Sequence, residues 1–269
     1  MKPPRRVGTA LIAAISFTLL YLPLVAVAAL SLNASRYGAA WGGLTLKWYA
    51  RLASNRIVLQ AAGNTLILAG ISTAVATVLG TALALGLDRF PWPRRLKGAV
   101  DALVYVPVVI PDIVFAVGML LAFEAARGLF ADLRLGMFTM VVAHITFEIP
   151  FIALVVSSRL YTIGRSVEEA ARDLYARTPY ALRRITLPLL APGIVAGAML
   201  AFTLSLDDFV ISFFTSGPAS VTLPLYIYGA LRRGISPEIH ALSTIVFGLT
   251  VVLVLGLELV LRRPKEEQP

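Results

Sequence analysis

Six long apolar segments constrain the fold of this chain more than any other feature of its sequence. A helix needs about 20 mostly apolar residues to cross a bilayer, where it satisfies its own backbone hydrogen bonds. We therefore predict an all-α membrane protein with six transmembrane helices, forming a single transmembrane domain over residues 1–269. The predicted spans cover about residues 7–32, 57–87, 99–123, 135–157, 189–214 and 239–261.

The composition supports a multi-pass membrane protein. Only 14% of the residues are charged and 58% are hydrophobic, whereas about a quarter of a soluble protein is charged. A net charge of +9 is also typical of nucleic-acid-binding proteins, but in a membrane protein it more often reflects basic cytoplasmic loops. We therefore predict the lipid bilayer as the environment and no nucleic-acid partner.

The distribution of basic residues predicts the topology. Two thirds of the 24 lysines and arginines lie at the two termini, in the turn 88–98 and in the loop 158–188. Basic residues concentrate in the cytoplasmic loops of membrane proteins. We therefore predict that both termini and the loop 158–188 face the cytoplasm.

The chain lacks the motifs of an enzyme. It has no phosphate-binding loop, so it is not expected to hydrolyse ATP itself, and no nucleophile–base set is recognisable. With no cysteine and only His144 and His240, we predict no metal site and no cofactor. Each histidine is more simply explained as a polar group satisfied by neighbouring helices or at the interface.

Four acidic residues lie within the predicted spans: Asp112, Glu148, Asp207 and Asp208. A charge at the centre of a bilayer costs roughly 2.5–3.5 kcal/mol on insertion scales, so such residues normally face a cavity or a partner. We expect no basic residue within the spans to pair with them, and acids along one path would attract a cation. The alternative is that single acids cap broken helices. Tyr226, in the last outer loop, is a candidate for cation–π contact or an interface aromatic.

Prolines accompany these acids. Pro107 and Pro111 precede Asp112, and Pro150 follows Glu148. Because irregular backbone at membrane depth is tolerated where it lines a cavity or is buried in protein, we expect helix breaks near these positions.

The longest charged segment, residues 169–188, predicts two short helices. Helix-forming residues follow Glu169, and Thr178 with Pro179 is typical of a second helix start. Pro188 is expected to end that helix or to kink the next one. Such a small pair must pack on the rest of the chain or dock on another protein, unless the segment is an ordinary solvated loop.

This segment resembles the cytoplasmic signature loop of the membrane subunits of ATP-binding-cassette importers. That pattern is E-A-A, three residues, G, nine residues and I-x-L-P. It is matched here by Glu169, Ala170, Ala171, Ile185, Leu187 and Pro188. The signature glycine is replaced by Tyr175. A bulky residue at positive φ would cost roughly 1–3 kcal/mol, so we expect a turn with negative φ or a reshaped loop.

The resemblance covers about residues 10–262. Further matching segments include Ile110–Val114, His144–Phe147, Ser205–Asp208 and Ser236–Glu238. They look like the permeases of spermidine/putrescine importers, although permeases for other solutes share parts of them.

The resemblance implies half of a translocation pathway in the bacterial inner membrane. The partners would be a homologous permease, two ATPase subunits that bind the ATP, and an extracytoplasmic solute-binding protein. Glu169 and Arg172 would contact an ATPase through the coupling loop, residues 158–188. The acids would receive the ammonium groups of a polyamine. The alternatives are an importer of an amino acid, an iron chelate or a phosphonate, or a stand-alone secondary transporter coupled to protons or cations.

Overall fold

A computed structural model describes residues 7–35, 40–129, 132–232 and 237–261 of the chain. They form two compact units: one within residues 1–59 and 227–269, the other over residues 60–226. The basic residues at the two ends of the chain, on which the predicted cytoplasmic location of the termini depends, lie outside the described residues. The prediction of a single domain stays a prediction.

The described regular structure is helical, apart from one isolated bridge between Asn33 and Leu44. This confirms the all-α prediction. The helices are α1 Val7–Ser31, α2 Lys47–Ser54, α3 Arg56–Arg89, α4 Arg94–Val109, α5 Asp112–Arg127, α6 Met137–Ile163, α7 Ser166–Asp173, α8 Thr178–Ala181, α9 Leu187–Asp207, α10 Val210–Thr215, α11 Leu223–Arg232 and α12 Pro237–Leu261, with a π-helical turn Leu182–Thr186 before α9.

Four helical runs are long and apolar enough to cross a membrane: Gly8–Ser31, Arg56–Arg89, Met137–Ile163 and Thr178–Asp207. A bent helix pair, α4 with α5, supplies a fifth if it counts as one span. The chain is therefore a multi-pass membrane protein with four to five such spans among the described residues, and the number six stays a prediction.

The predicted third span, 99–123, is wrong as a single helix. Helices α4 and α5 meet at an angle of 110°. The cause is Pro111, which disfavours a helical conformation in the residue before it. Ile110 accordingly has φ −68° and ψ 137°. The expected break at this proline is confirmed.

The predicted fifth span, 189–214, also differs from the structure. Helix α9 ends at Asp207, Asp208 is extended, and α10 begins at Val210. Pro188 does not end a helix, since it lies in the first turn of α9, where a missing N–H is tolerated. The breaks expected at Pro107 and Pro150 are absent, because α4 and α6 continue through these two residues.

Helix α6 forms the centre of the unit over residues 60–226. Its residue Ile152 is fully buried and packs with Ala76, Ala84 and Leu190 of α3 and α9. A Cβ atom added at Gly80 would lie 2.8 Å from the Ile152 Cβ. Glycine therefore permits the close approach of α3 to α6.

A second apolar cluster joins α5, α6 and α10. It contains Ala116 and Phe123 of α5, Ala143 and Phe147 of α6, and Ile211 of α10. The short helix α10 is thereby fixed against two longer helices, which matters because Asp207 and Asp208 immediately precede it.

The other unit packs α1 and α2 on α12. Trp48 of α2 is only 3% exposed, and its indole donates a hydrogen bond of 2.8 Å to the Asn33 carbonyl oxygen. Arg51 lies 3.6 Å from Glu238. These contacts fix the short helix α2 against α12 at the polar end of this unit.

Candidate functional site

Two of the four predicted membrane acids lie around one buried histidine. His144 and Glu148 are one turn apart on α6 and are 2% and 1% exposed. His144 Nε2 lies 3.3 Å from Asp208 Oδ2, and His144 Nδ1 lies 3.9 Å from Glu148 Oε1. The expectation that the spans hold no basic partner for these acids is therefore wrong for Asp208, since His144 is a titratable base at ion-pair distance.

Three serines extend this cluster. Ser72 of α3 donates a hydrogen bond of 2.7 Å to Glu148 Oε1 and lies 3.3 Å from the Ser205 hydroxyl. Ser205 lies 2.7 Å from His144 Nδ1, and Ser212 lies 3.2 Å from His144 Nε2. We call these three serines with His144, Glu148 and Asp208 the polar network. It joins α3, α6, α9 and α10 inside one unit.

Asp208 also holds the start of α10. Its two carboxylate oxygens accept hydrogen bonds from the backbone N–H groups of Ile211, at 3.1 Å, and Ser212, at 2.8 Å. The first N–H groups of a helix have no partner within the helix and favour a negative charge. Both oxygens of this carboxylate therefore have hydrogen-bond partners within the protein.

Asp112 and Asp207 differ from that pair, because both are exposed. Asp112 is the first residue of α5 after the bend, and Asp207 is the last residue of α9 before the chain extends. Neither forms an ion pair with any residue in the described part of the chain. Tyr226 is half-buried in α11. The structure thus separates two exposed carboxylates from two within the polar network, where Glu148 Oε2 has no hydrogen-bond partner among the described residues.

The coupling loop contains the two predicted short helices, α7 and α8. Helix α8 continues through the π-helical turn into α9, so the second helix leads directly into a candidate span. Of the motif residues, Ala171 is buried, Ile185 and Leu187 are half-buried, and Glu169, Ala170, Arg172 and Pro188 are exposed. Glu169 and Arg172 are therefore available to a partner, while Ala171 anchors α7.

Tyr175 adopts the backbone conformation that the signature glycine would favour. Its φ is +60°, so the expectation of negative φ or a reshaped turn is wrong. The Ala176 N–H donates to the Ala171 carbonyl oxygen at 3.0 Å, and the Tyr175 N–H to that of Arg172 at 2.8 Å. These two bonds form a Schellman motif, which normally places glycine at this position. The Tyr175 side chain is 95% exposed.

Sequence reasoning missed the serines of the polar network. The interpretation of His144 as a polar group satisfied by neighbouring helices is confirmed by its contacts with Ser205 and Ser212. An isolated serine in an apolar span gives no signal, because its hydroxyl bonds to the preceding turn of its own helix. The spacing of His144 and Glu148 did carry a signal, since residues four apart share one face of a helix.

The described helices and the bent pair are those of a multi-pass membrane protein. The chain belongs to the family of inner membrane components of binding-protein-dependent transport systems, whose model matches residues 76–263. It is therefore a transporter subunit and not an enzyme.

Among relatives, the spermidine/putrescine transport system permease protein PotC of Escherichia coli K12 is 39% identical, over 91% of this chain and 90% of that protein. The putrescine permease PotI of the same organism is 40% identical, over 87% of this chain and 83% of its own length. PotC of Haemophilus influenzae is 36% identical, over 92% of this chain and 93% of that protein.

Solved structures support the fold. A bacterial ABC transporter that imports the acidic polysaccharide alginate contains a chain with a TM-score of 0.75 at 19% identity, covering 97% of this chain and 96% of its own. A chain of the MetNI methionine ABC transporter gives a TM-score of 0.61 at 19% identity, and the match covers 78% of this chain and 94% of that chain. These likenesses show the fold alone.

Proposed function

We propose that this chain is a permease subunit of an ATP-driven importer of polyamines. The observation that carries the proposal is the similarity to PotC over nine tenths of both chains. A polyamine importer must move a flexible polycation, so the permease has to offer negative charge along an otherwise apolar path. The exposed acids at the helix breaks fit that requirement.

Asp207 is the strongest candidate for contact with the substrate. It is exposed and lies at the C-terminus of α9, where the helix dipole carries about half a negative charge. A second negative group at that end is unfavourable for an isolated helix, but it creates a good position for an ammonium group. The carboxylate and the last carbonyl groups of α9 would then be neutralised together.

Asp112 is the second candidate. Its carboxylate lies in the first turn of α5, where it complements the helix dipole, and it remains exposed. Tyr226 would add an aromatic face for the same cation. In this proposal Glu148 and Asp208 do not contact the substrate directly. Their carboxylates belong to the polar network, which fixes the helix break between α9 and α10 beside the pathway.

The proposed assembly follows the family. The chain would pair with a homologous permease as a heterodimer, with six spans, both termini in the cytoplasm and the bacterial inner membrane as its location. Two ATPase subunits would bind the ATP, so that this chain needs no cofactor. An extracytoplasmic binding protein would deliver the polyamine.

The coupling loop would connect the ATPases to the pathway. Glu169 and Arg172, both exposed on α7, would contact one ATPase. Because α8 continues into α9, a displacement at α8 is passed along one helical run to Asp207. Closure of the ATPases would thus change the position of the Asp207 carboxylate at the helix break.

Competition for uptake tests the substrate class. We expect the complete transporter, reconstituted in vesicles, to take up radiolabelled spermidine with ATP, and excess putrescine to compete. Excess methionine, a phosphonate or an iron chelate should not compete. Efficient competition by one of these, with none by putrescine, would refute the polyamine assignment while leaving the permease family intact.

A further inference from the structure

Glu168 lies beside the exposed Glu169 on α7 but has different surroundings. Its side chain is only 15% exposed, and it belongs to no part of the signature pattern. Because neighbouring residues on a helix point about 100° apart, one of the two acids is directed at a partner and the other at the chain itself.

The Glu168 carboxylate joins three helical elements. Its oxygens lie 3.1 and 3.0 Å from Nε of Arg89, the last residue of α3. The Thr186 hydroxyl, at the end of the π-helical turn before α9, donates to Oε1 at 2.9 Å. Arg89 also contacts its neighbour Asp88. One carboxylate thus links α7 to the end of α3 and to the turn that leads into α9.

A cleft of about 290 Å³ lies next to this contact. Its lining includes Leu85, Arg89, Arg172, Leu182 and Glu168 itself. Residues of α3, α7 and the π-helical turn line this space, so their side chains do not pack closely across it. The carboxylate–guanidinium pair joins α7 itself to the end of α3. The residues just before α7 add to this link, since Arg165 contacts Asp88 and Arg89 contacts the Gly164 carbonyl oxygen.

We propose that Glu168 is the positioning residue that makes α7, the end of α3 and the start of α9 move together. The proposal rests on the proposed function, in which an ATPase displaces α7. A partly buried charged pair resists separation strongly, because breaking it leaves a charge without its partner. A displacement of α7 would therefore reach two spans at once and not only α9.

The first test follows the geometry of this chain alone. The sequence has no cysteine, so spin labels at Phe90→Cys and Val167→Cys report one distance between the end of α3 and α7. We expect a narrow distance distribution in the parent and a broadened one after Glu168→Gln, with Asp173→Asn on the same helix unchanged. An equally narrow distribution in Glu168→Gln would overturn the proposal, and this readout does not depend on the substrate.

The second test measures coupling in the complete transporter. Glu168→Gln and Arg89→Gln are each expected to lower the spermidine transported per ATP hydrolysed about fivefold or more, at the low end of typical coupling factors. The double variant should lose less than the two single losses combined, since the two substitutions share the Glu168–Arg89 contact. Additive losses would overturn the proposal, as would an unchanged transport ratio.

If the parent fails to transport spermidine, the polyamine assignment fails, while the distance measurement still decides the role of Glu168.

Discussion

His144 Nε2 lies 3.3 Å from Asp208 Oδ2, and the imidazole and the carboxylate are both shielded from solvent. The same ring contacts the hydroxyls of Ser205 and Ser212 through its two nitrogens. One histidine therefore connects α6 with α9 and α10 at the point where the chain breaks between the latter two. The position of Asp207, next to this break, depends on that connection.

Removing the imidazole should destabilise the protein. We expect His144→Ala to lower the free energy of unfolding by about 1–3 kcal/mol, because buried polar partners are left unsatisfied. Thermal unfolding of the purified protein in detergent measures the change. His240→Ala, at a half-buried position on α12, serves as the control and should have a smaller effect. Equal effects of the two substitutions would contradict a special role for His144.

Two substitutions at Asp208 separate its roles. Asparagine can still accept hydrogen bonds from the first turn of α10, whereas alanine cannot, and losing a cap costs about 0.5–2 kcal/mol. We expect Asp208→Ala to lower the unfolding temperature more than Asp208→Asn, and both to reduce polyamine uptake. If both variants unfold at the parent temperature, the carboxylate does not hold α10.

Glycine at position 175 should stabilise the turn after α7. The tyrosine at φ +60° carries strain of about 1–3 kcal/mol, which Tyr175→Gly would relieve. Tyr175→Ala is the matched control, since it removes the ring but keeps the Cβ atom that causes the strain. Both variants are compared by thermal unfolding. A gain in Tyr175→Ala as large as in Tyr175→Gly would show that the exposed ring, and not the backbone, is responsible.

Glu169 should be required for coupling to the ATPase. We expect Glu169→Ala to weaken the complex and to uncouple ATP hydrolysis from uptake in reconstituted vesicles, because the exposed carboxylate would lose its contact with the partner. Asp173→Ala removes an exposed acid from the same helix and is expected to behave like the parent. Unchanged coupling in Glu169→Ala would rule out the proposed contact.

The helices were largely predictable because apolar length and proline positions act locally. The apolar runs predicted α1 and α3 to within two residues at each end, and Pro111 marked the bend between α4 and α5. The predicted end of the fourth span at residue 157 is wrong, because α6 continues to Ile163, into the segment assigned to the coupling loop. Pro150 failed as a predictor, since a proline within a long helix is tolerated when neighbouring elements compensate for the lost hydrogen bond. The end of α9 at Asp207 depends on the tertiary contacts of Asp208, which no local pattern shows.

The candidate site was predicted only in part. The four acids could be found as charges in apolar segments, but their exposure could not, because it depends on which helices pack together. Ser72 lies far in sequence from Glu148, and their contact arises from the packing of α3 on α6. Glu168 was hidden for the same reason, because its partner Arg89 lies at the end of a distant helix.

Uptake by an Asp207 variant tests the central claim most directly. The complete transporter carrying Asp207→Asn is compared with the parent and with Asp132→Asn, the same change at an exposed acid outside the proposed pathway. ATP-dependent uptake of radiolabelled spermidine should fall roughly tenfold in Asp207→Asn, since a charge-assisted hydrogen bond contributes about 1.5–3 kcal/mol. Asp132→Asn should match the parent in uptake, and neither variant should unfold at a lower temperature than the parent. Equal uptake by Asp207→Asn and the parent would contradict the claim that this carboxylate receives the polyamine.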